Sequence, residues 1–467
     1  MDALAAPAAG SEVRRAQATA SGHVHALALV LAALGADGCY QPRPLDARAV
    51  MNEVSRGSEG GGPASVAARP AMTPPEGLTE DAAVALAMRG NPDLRAVRLS
   101  RGIAEGEVVA AGALANPTIG FDLIHIEDWA NTEAWAVQLG WQPPQPEAYA
   151  ARRAAARAGA QAVDADVAEA EWQVATSVRA AHAVMLALAD KRALVDRQLD
   201  VRHKIVELVR KRVAGGASTR LDLGVVELAL TQVERERDEL ASEQIAAGTD
   251  LGQLLGTTPV TSVAGVLAAE TRPPPALDGL VDAALEARPA LAAEERRYRQ
   301  REENVRLERA QRFPWFKLTA IPRYRADGSD VHPHDFSAGL ELTVPILNLN
   351  GGPIQIAEAS RDQEREQFAK LAGGIRRDLA GAREEIALRA ETLRRYQEAV
   401  LPGLDAQEKL LATAVAGGQL DVVALTAAEE GILRTRSTYI DLELACYRAW
   451  LALDRAVGRR QSISAPR

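Results

Sequence analysis

Apolar residues recur at three- and four-residue spacing along most of the chain, which is the pattern of amphipathic helices. The stretch Glu147–Val213 has no proline and few glycines, so it predicts one helix on the order of 100 Å long at about 1.5 Å per residue. A second long helix is predicted over Pro353–Val415, with a kink at Pro402. A glycine pair follows each long helix, and returning helices are predicted at Leu221–Leu255 and Asp421–Val457.

The first returning helix has an apolar stripe that requires a partner helix. The members of this stripe are Leu223, Val226, Leu230, Val233 and Leu240. The obvious partner is the helix that ends just before the glycine pair. Each long helix and its successor are therefore predicted to form a helical hairpin, with tips at about residues 213–222 and 415–424.

Between the helices, two pairs of short stretches have the character of β-strands. PTIGFDLIHI and AWAVQLGW form the first pair, and WFKLTAIPRY and FSAGLELTVPI form the second. In the second member of each pair, large apolar residues alternate with small or polar ones. The polar stretches EDWANTE and RADGSDVHPHD separate the members, so β-hairpins are predicted at about residues 117–142 and 315–346.

These hairpins fit two environments. One is the half-buried sheet of a soluble protein. The other is a membrane, since a tilted membrane-spanning strand has about ten residues and can turn apolar side chains to lipid on one face. Nothing else in the sequence offers a second layer for the sheet, which favours lipid.

The chain contains one plan twice. Pro92 and Pro289 lie 197 residues apart, each between two helices, and the glycine pairs that start at Gly215 and Gly417 lie 202 residues apart. The second copy has therefore gained about five residues. The predicted organisation is a signal peptide (1–38), an extended or flexible leader (39–77), a first copy (78–260, with its second helix at Leu94–Leu114), a linker (261–276), a second copy (277–458, with its second helix at Leu291–Arg312) and a C-terminal tail (459–467).

Composition favours an elongated helical protein over a compact enzyme. Aromatic residues are only 4% of the 467 residues, while Ala, Leu, Arg and Glu dominate. The net charge of −9 comes from acidic and basic residues interleaved along helices without a basic stripe, so nucleic-acid binding is not expected. The sequence has no P-loop, G-x-S-x-G or H-E-x-x-H motif, and we predict neither catalytic residues nor a cofactor.

The N-terminal segment predicts export. Arginines at 14–15 precede the apolar run Ala26–Cys39, which has the length of a signal-peptide core. Gly38 followed by Cys39 resembles a bacterial lipoprotein cleavage site, at which the cysteine becomes the lipidated first residue; ordinary cleavage nearby is the alternative. The other cysteine, Cys446, lies among apolar residues at helical spacing and is predicted to be a buried small hydrophobe.

This arrangement resembles the TolC-type outer-membrane factor family. LTEDAAVALAMRGNPDLRA looks like the family's opening helix, ANPTIGFDL like its first strand, VPILNLNGG like the exit from its second hairpin, and GGASTRLDL like a helical-hairpin tip. WQPPQPEAYAARRAAARAGA and the lipoprotein-like Cys39 look most like the heavy-metal-efflux branch. The resemblance covers nearly all of Leu78–Gly458.

The resemblance implies a mainly α fold with a small β part. Duplicated helical hairpins would form a trimeric α-barrel, and four strands per protomer would contribute to a twelve-stranded transmembrane β-barrel. It also implies a homotrimer in the bacterial outer membrane, in contact with its lipid and extending into the periplasm. The implied partners are a periplasmic adaptor and an inner-membrane pump, of the resistance-nodulation-division class.

The implied function is the passive exit duct of a tripartite efflux system. Two alternatives stay open at this point. One is the exit duct of a type I protein-secretion system, and the other is a periplasmic coiled-coil scaffold that is not a channel. The sequence does not identify the transported substrate.

The resemblance also implies where the gate lies. In the family the hairpin tips meet the adaptor and close the periplasmic end, commonly with an acidic residue just past the tip. The residues at these positions are Gly215, Gly216, Asp222, Gly417, Gly418 and Asp421. Asp222 occupies the family's position, whereas the second copy has Ala424 there and its acid at Asp421. Each aspartate is alternatively a cap of its returning helix.

One short stretch contains several residues of types that bind metals. His332 and His334 lie with Asp330 and Asp335 in the stretch DVHPHD, and histidines and carboxylates ligate zinc. The stretch falls in a predicted surface loop, where the intervening proline holds the chain extended. We therefore predict no metal site.

Overall fold

The computed structural model of the protein describes residues 42, 44–58, 77–126, 132–327, 330–416 and 422–461. It is mainly helical with a small β part, as predicted. The helices are α1 (Ala47–Ser58), α2 (Glu80–Gly90), α3 (Pro92–Gly112), α4 (Pro146–Ala214), α5 (Arg220–Leu255), α6 (Leu277–Ala287), α7 (Pro289–Ala310), α8 (Gly351–Arg395), α9 (Leu401–Ala416) and α10 (Val422–Val457), with a π-helical turn at Tyr396–Val400. The strands are β1 (Thr118–Ile126), β2 (Thr132–Trp141), β3 (Trp315–Asp327) and β4 (Asp330–Thr343). Within the described ranges, no helix is both long and apolar enough to cross a membrane.

The described part of the chain forms two compact units. The sheet unit contains Val109–Ala154 and Glu303–Glu358, and the helical unit contains Ala155–Glu302 and Ala359–Arg467 together with most of α2 and α3. Each unit takes residues from both copies of the repeat. The compact units therefore do not coincide with the copies.

The helical unit contains a corresponding three-helix core in each copy. In the first copy the core lies between α2, α4 and α5, and in the second between α6, α8 and α10. Ala83 and Leu251 of the first core lie 197 and 202 residues before Leu280 and Leu453 of the second, and all four are buried. Cys446 is buried in the second core as predicted, and burial raises the pKa of its thiol to about 11.

The apolar stripe of α5 packs against the helix that precedes it, as predicted. Val226 is buried against Ile205 and Val209 of α4. The same cluster also includes Leu425 of α10, from the second copy. The two helical hairpins therefore share a core close to the first tip, which periodicity within one hairpin does not predict.

The second helix of each copy begins two residues earlier than predicted. α3 starts at Pro92 and α7 at Pro289, because proline is favoured in the first turn of a helix, where its missing N–H has no partner to lose. In the first copy, Asn91 Oδ1 also accepts a hydrogen bond from the N–H of Leu94 at 2.9 Å. These prolines start helices rather than only ending the preceding ones.

The long helix of the second copy is interrupted ahead of Pro402. The π-helical turn Tyr396–Val400 separates α8 from α9, and the N–H of Leu401 donates to the carbonyl of Tyr396. Proline has no N–H for an α-helical hydrogen bond, and its ring crowds the preceding turn. A wider π turn is one way for a helix to accommodate such a residue.

Part of the leader, which is predicted to be extended or flexible, is helical. Residues Ala47–Ser58 form α1, and the Asp46 carboxylate accepts hydrogen bonds from the N–H groups of Arg48 and Ala49 at 2.9 and 3.1 Å. An aspartate at this position satisfies N–H groups that the first turn leaves without partners. The Pro, Gly and Ser content of the leader as a whole hides this local signal.

All four strands form one antiparallel sheet in the order β1-β2-β3-β4. The hairpins of the two copies join through β2 and β3, where Leu139 pairs with Ala320. Within the described residues, β1 and β4 each pair on one side only. The sheet therefore ends in two edges.

The predicted turn of the second hairpin is too long, because strand pairing extends into it from both sides. β3 runs to Asp327 and β4 begins at Asp330, so that Arg325 pairs with His332 inside the stretch expected to be a loop. The ladder has a one-residue shift beside Arg323. Polar residues hide the strand period in this part of the sequence, whereas backbone pairing does not require apolar side chains.

Candidate functional site

Backbone hydrogen bonds close the tip of the first helical hairpin and end α4. The N–H groups of Gly216 and Ala217 donate to the carbonyls of Val213 and Arg212 at 3.1 and 2.8 Å, which is the pattern of a Schellman motif. Gly216 has a φ of 75°, in the left-handed region where a side chain costs about 1–2 kcal/mol. The turn therefore requires the second glycine of the pair.

A capping box starts α5 on the other side of this tip. Thr219 Oγ1 accepts from the N–H of Asp222 at 3.1 Å, and Asp222 Oδ2 accepts from the N–H of Thr219 at 2.8 Å. The carboxylate also lies in the first turn, where the helix dipole favours negative charge. Asp222 is thus a cap, and a further role at a gate is a proposal.

Side-chain contacts hold the turn between these two helix ends. Arg212 Nε donates to Ser218 Oγ at 3.3 Å, and its Nη2 donates to the carbonyl of Ala217 at 3.5 Å. Leu221 is 77% exposed, and a Cβ on Gly216 would meet nothing within 4 Å. The first tip is therefore ordered and presents open surface.

Four of the predicted site residues lie outside the described residues. They are Cys39, Gly417, Gly418 and Asp421. The described helices on either side of the second tip are α9, which ends at Ala416, and α10, which begins at Val422. Lipidation of Cys39 and both alternatives for Asp421 remain predictions.

A buried ion pair joins the two hairpins. Arg202 of α4 lies 3.7 Å from Glu429 of α10 through its Nε, and their side chains are only 3% and 13% exposed. Arg202 Nη2 also donates to the carbonyl of Thr426 at 3.1 Å, and Gln198 Nε2 donates to Glu429 at 3.4 Å. Charged and polar groups thus tie α4 of the first copy to α10 of the second.

Burial perturbs both members of this pair. Desolvation lowers the pKa of Arg202 and raises that of Glu429, in each case against the attraction of the partner. Nε and Nη1 of Arg202 are buried and have no hydrogen-bond acceptor among the described residues. The hydrogen bonds of this pair therefore do not fully offset the free energy lost by desolvation. Removal of one member would leave the charge of the other buried without an opposite charge.

The prediction from sequence missed this pair. Arg202 stands among Leu199, Val206 and Val209 at helical spacing, and a cation within an apolar stripe is a signal of a buried partner. Its partner cannot be identified from the sequence, because Glu429 lies in the other copy. Glu227, which corresponds to Glu429 in the repeat, instead forms an exposed pair with Arg210 at 3.0 Å.

The sheet has one continuous apolar face. The described side chains on this face are those of Ile119, Phe121, Val137, Leu139, Trp141, Phe316, Leu318, Ala320, Pro322, Phe336, Ala338, Leu340 and Leu342. Most of the large ones are exposed; Ile119, Phe336 and Leu340 have exposures of 76%, 70% and 67%. Such a surface requires contact with lipid or another protein.

The opposite face of the sheet is mostly small or polar. Its described side chains include those of Thr118, Asp122, Ala136, Gln138, Lys317, Thr319, Arg323, Ser337, Glu341 and Thr343, with Trp315 and Ile321 as large apolar exceptions. Lys317 Nζ lies 4.0 Å from Glu341 Oε2. This face is therefore suited to water.

In the described part of the chain, no group of three or more His, Cys, Asp or Glu residues could hold a metal ion. The backbone of His332 and His334 lies in β4, and the structure does not describe their side chains. A cavity of about 190 Å³ in the helical unit is lined by polar and apolar side chains, which are those of Lys191, Leu194, Val195, Glu236, Glu239, Leu240, Glu243 and Ser437.

Comparison with known proteins identifies relatives. The family model described as outer membrane efflux protein matches residues 83–257 and 280–459, one segment in each copy. The proteases secretion protein PrtF of Dickeya chrysanthemi is 25% identical over 288 residues, which are 58% of this chain. The match spans 60% of the length of PrtF.

Solved structures with the same fold include those of CusC and VceC. The CusC structure has a TM-score of 0.67 at 18% identity, covering 81% of this chain and 92% of its own. The outer membrane protein VceC of Vibrio cholerae has a TM-score of 0.65 at 19% identity, covering 81% of this chain and 96% of its own. The family model, matched over most of the sequence and in both copies, shows that the chain belongs to the outer membrane efflux protein family.

Proposed function

We propose that this protein is the trimeric outer-membrane exit duct of a tripartite efflux system. Family membership supports an exit duct in the bacterial outer membrane. The observation that best supports a channel is the difference between the two faces of the sheet. The exposed apolar face can contact lipid, while the polar face lines a water-filled lumen. The opposite arrangement would place Lys317 and Glu341 in hydrocarbon, at high cost.

Three copies of the chain would close the sheet into a barrel. Within the described residues, β1 and β4 each pair with a strand on one side only, and open sheet edges of this kind are not tolerated in hydrocarbon. Pairing β4 of one protomer with β1 of the next removes both edges. Three protomers of four strands then give a twelve-stranded barrel.

Substitutions on opposite faces of β4 test this orientation. Phe336→Arg puts a cation on the apolar face, where it costs about 2–4 kcal/mol near the bilayer midplane. We expect strongly reduced recovery of trimers from outer-membrane extracts, measured by heat-modifiable bands on gels. Ser337→Arg, one residue along on the polar face, is the matched control and should assemble normally.

The opposite ranking would overturn the lipid-facing assignment. If Ser337→Arg abolishes assembly and Phe336→Arg does not, the apolar face points away from lipid. Recovery of the wild-type protein in the soluble periplasm would instead favour the coiled-coil scaffold. Cell-envelope fractionation separates these outcomes.

The hairpin tips are the proposed periplasmic gate and adaptor contact. Gly215, Gly216 and Asp222 form an ordered, exposed turn in the first copy, and Gly417, Gly418 and Asp421 occupy the corresponding part of the second. In a trimer, three Asp222 carboxylates would form a ring of negative charge, which favours cations in a pore.

Two variants distinguish a role of Asp222 in the gate from its role as the cap of α5. Asp222→Asn keeps an oxygen that can accept from the N–H of Thr219 but removes the charge, so we expect a several-fold change in conductance or cation selectivity in planar bilayers with little loss of stability. Thr219→Ala breaks the capping box but keeps the charge, and should cost about 1 kcal/mol without changing selectivity. If Asp222→Asn conducts like the wild type, Asp222 is only a cap.

The proposed partners are a periplasmic adaptor and an inner-membrane pump of the resistance-nodulation-division class. The heavy-metal branch and lipidation at Cys39 belong to the same proposal, and mass spectrometry of the mature N-terminus tests the lipid. Crosslinking of the native protein at the first tip, followed by identification of the captured proteins, tests the partners. An adaptor paired with a pump is the expected result.

The second candidate function is the exit duct of a type I protein-secretion system. The similarity to PrtF, whose name describes protease secretion, favours it. Deletion of the gene distinguishes the two candidates. Loss of a secreted protein from the culture medium, without increased sensitivity to metals or drugs, would replace efflux by secretion.

A further inference from the structure

A cluster of five charged side chains lies between three helices of the helical unit, away from the hairpin tips. Glu294, Arg297 and Arg301 recur along one face of α7, and they meet Asp166 of α4 and Glu364 of α8. Arg297 Nη1 donates to Glu294 Oε1 at 2.5 Å, and Arg297 Nη2 donates to the carboxylate of Asp166. Arg301 Nε donates to Glu364 Oε2 at 3.3 Å.

The two glutamates of this cluster are enclosed. The Glu364 side chain is 6% exposed and that of Glu294 is 17% exposed. Glu294 Oε2 and Glu364 Oε1 are buried and receive no hydrogen bond from an N–H or hydroxyl group of the described residues. A side-chain hydrogen bond with Glu364 nevertheless contributes to raising the pKa of Glu294. Two carboxylates cannot form a hydrogen bond unless one of them carries a proton.

The charges in the cluster lead to the same requirement. Three carboxyl groups, of Asp166, Glu294 and Glu364, face two guanidinium groups, of Arg297 and Arg301. Asp166 and Arg301 are partly exposed, whereas Glu294 and Glu364 are enclosed, so full ionisation would place the extra negative charge on the enclosed pair. Such a charge is costly, and an enclosed carboxyl group takes up a proton instead. One bound proton makes the cluster neutral.

We propose that Glu294 and Glu364 form a proton-binding site, in which one shared proton joins α7 to α8 and makes this contact sensitive to pH. Arg297, which also donates to Asp166, holds Glu294 from one side, and Arg301 holds Glu364 from the other. Uptake of the proton closes a carboxyl–carboxylate hydrogen bond. Its release leaves two like charges in contact, which repel each other and weaken the helix pairing.

The first copy of the repeat has no charged residues at the positions that correspond to those of α7 in this cluster. The residues of α3 that lie 197 positions before Glu294, Arg297 and Arg301 are Val97, Ser100 and Ala104. Ala104 is 3% exposed, and the Ser100 hydroxyl donates to the carbonyl of Val97 within its own helix. The charged residues that α7 contributes to this cluster are therefore a feature of the second copy and not of the first.

The direction of the pH dependence follows from burial. Desolvation, and then the hydrogen bond to Glu364, raise the pKa of Glu294 above its usual value. A carboxyl group with a raised pKa in the folded state contributes stability that is fully present below its unfolded pKa. That contribution is lost as the pH rises through the folded pKa. The contact is therefore tighter in acid and looser in alkali.

Infrared spectroscopy of the full-length protein in detergent tests the proposal. At neutral pH, the difference spectrum of wild type minus Glu294→Gln should contain the carbonyl band of one protonated carboxylic acid per protomer, because other buried acids cancel. Glu364→Gln should remove the same band, since Glu294 then ionises beside Arg297. The band of the wild type should disappear as the pH is raised.

The matched control is Glu295→Gln. Glu295 is the next residue of α7, and its exposed side chain pairs with Arg299 within the same helix. This variant should keep the band, and its thermal unfolding midpoint should fall with rising pH as in the wild type, whereas the midpoint of Glu294→Gln should depend less on pH.

Two results would overturn the proposal. One is a folded Glu294→Gln protein, verified by circular dichroism, whose infrared band and pH dependence equal those of the wild type. The other is a wild-type protein that has no such band at neutral pH. The wild-type titration needs no variant to fold, so the test stands even if Glu294→Gln is unstable.

Discussion

Replacing Arg202 by alanine is expected to destabilise the protein by about 3–5 kcal/mol, the usual cost of leaving the partner of a buried ion pair without its opposite charge. Among the described residues, the Glu429 carboxylate would keep the weak hydrogen bond from Gln198 at 3.4 Å. We expect a lower midpoint in urea or thermal unfolding, followed by circular dichroism in detergent. Protease cleavage near the first tip should increase, because the hairpins lose a tie.

The cost of Arg202→Ala should depend on pH. Burial raises the pKa of Glu429, and Arg202 lowers it, so removing the arginine raises this pKa further. A carboxyl group with a raised folded pKa is more stabilising in acid, where it is protonated and neutral. The loss of stability should therefore be smaller at about pH 5 than at about pH 8.

The repeat supplies a matched control for this prediction. Arg210 pairs with Glu227, the counterpart of Glu429, but both side chains are about half exposed. Arg210→Ala should therefore change stability by less than about 1 kcal/mol. Replacing both Arg202 and Glu429 by apolar residues should restore much of the loss. Equal effects of Arg202→Ala and Arg210→Ala would show that burial of the first pair contributes nothing.

Local periodicity explains which parts of the fold the sequence predicts. The helical hairpin α4–α5 follows from apolar spacing and a glycine pair, because both signals lie within a few turns of each other. The sheet follows from two-residue alternation, except near Asp330, where polar residues remove that signal. Contacts between the copies, such as that of Leu425 with the α4–α5 core, depend on packing between segments distant in sequence.

In the candidate site, too, local features could be predicted from the sequence and contacts between distant segments could not. The first tip could be located from Gly215 and Gly216, and the stretch from Thr219 to Asp222 has the spacing of a capping box. The partner of Arg202 could not be found, because the corresponding residue of the other copy, Glu227, binds a different arginine. Duplication predicts equivalent helices but not equivalent ion pairs.

Replacing Gly256 by alanine is expected to be among the most damaging single-methyl additions in the helical unit. Gly256 ends α5 with a φ of 66°, and a Cβ at this position would lie 2.2 Å from the carbonyl oxygen of Gly90 at the end of α2. The left-handed conformation alone costs a side chain about 1–2 kcal/mol. Overpacking adds about 1–3 kcal/mol, since the obstructing atom belongs to the backbone and no side-chain rotation relieves the clash.

The second copy repeats this junction. Gly458 lies 202 residues after Gly256, has a φ of 86°, and approaches Arg288 and the carbonyl of Ala287 so closely that a Cβ would lie 2.7 and 2.9 Å from them. Both copies thus place the end of the returning helix directly against the end of the short helix. Gly458→Ala should therefore lower the unfolding midpoint in the same way.

Gly216→Ala measures the cost of a left-handed backbone conformation at a site that has no close contact of the kind seen at Gly256 and Gly458. Gly216 has a similar φ of 75°, but a Cβ there would meet nothing within 4 Å. Its alanine variant should lose only the conformational part, about 1–2 kcal/mol, and keep its assembly. Gly256→Ala should lower the unfolding midpoint at least twice as far and reduce the yield of folded protein. If the two variants lose equal stability, the backbones of α2 and α5 can move apart at their junction without a loss of free energy. Gly256 would then be needed only for its left-handed backbone conformation.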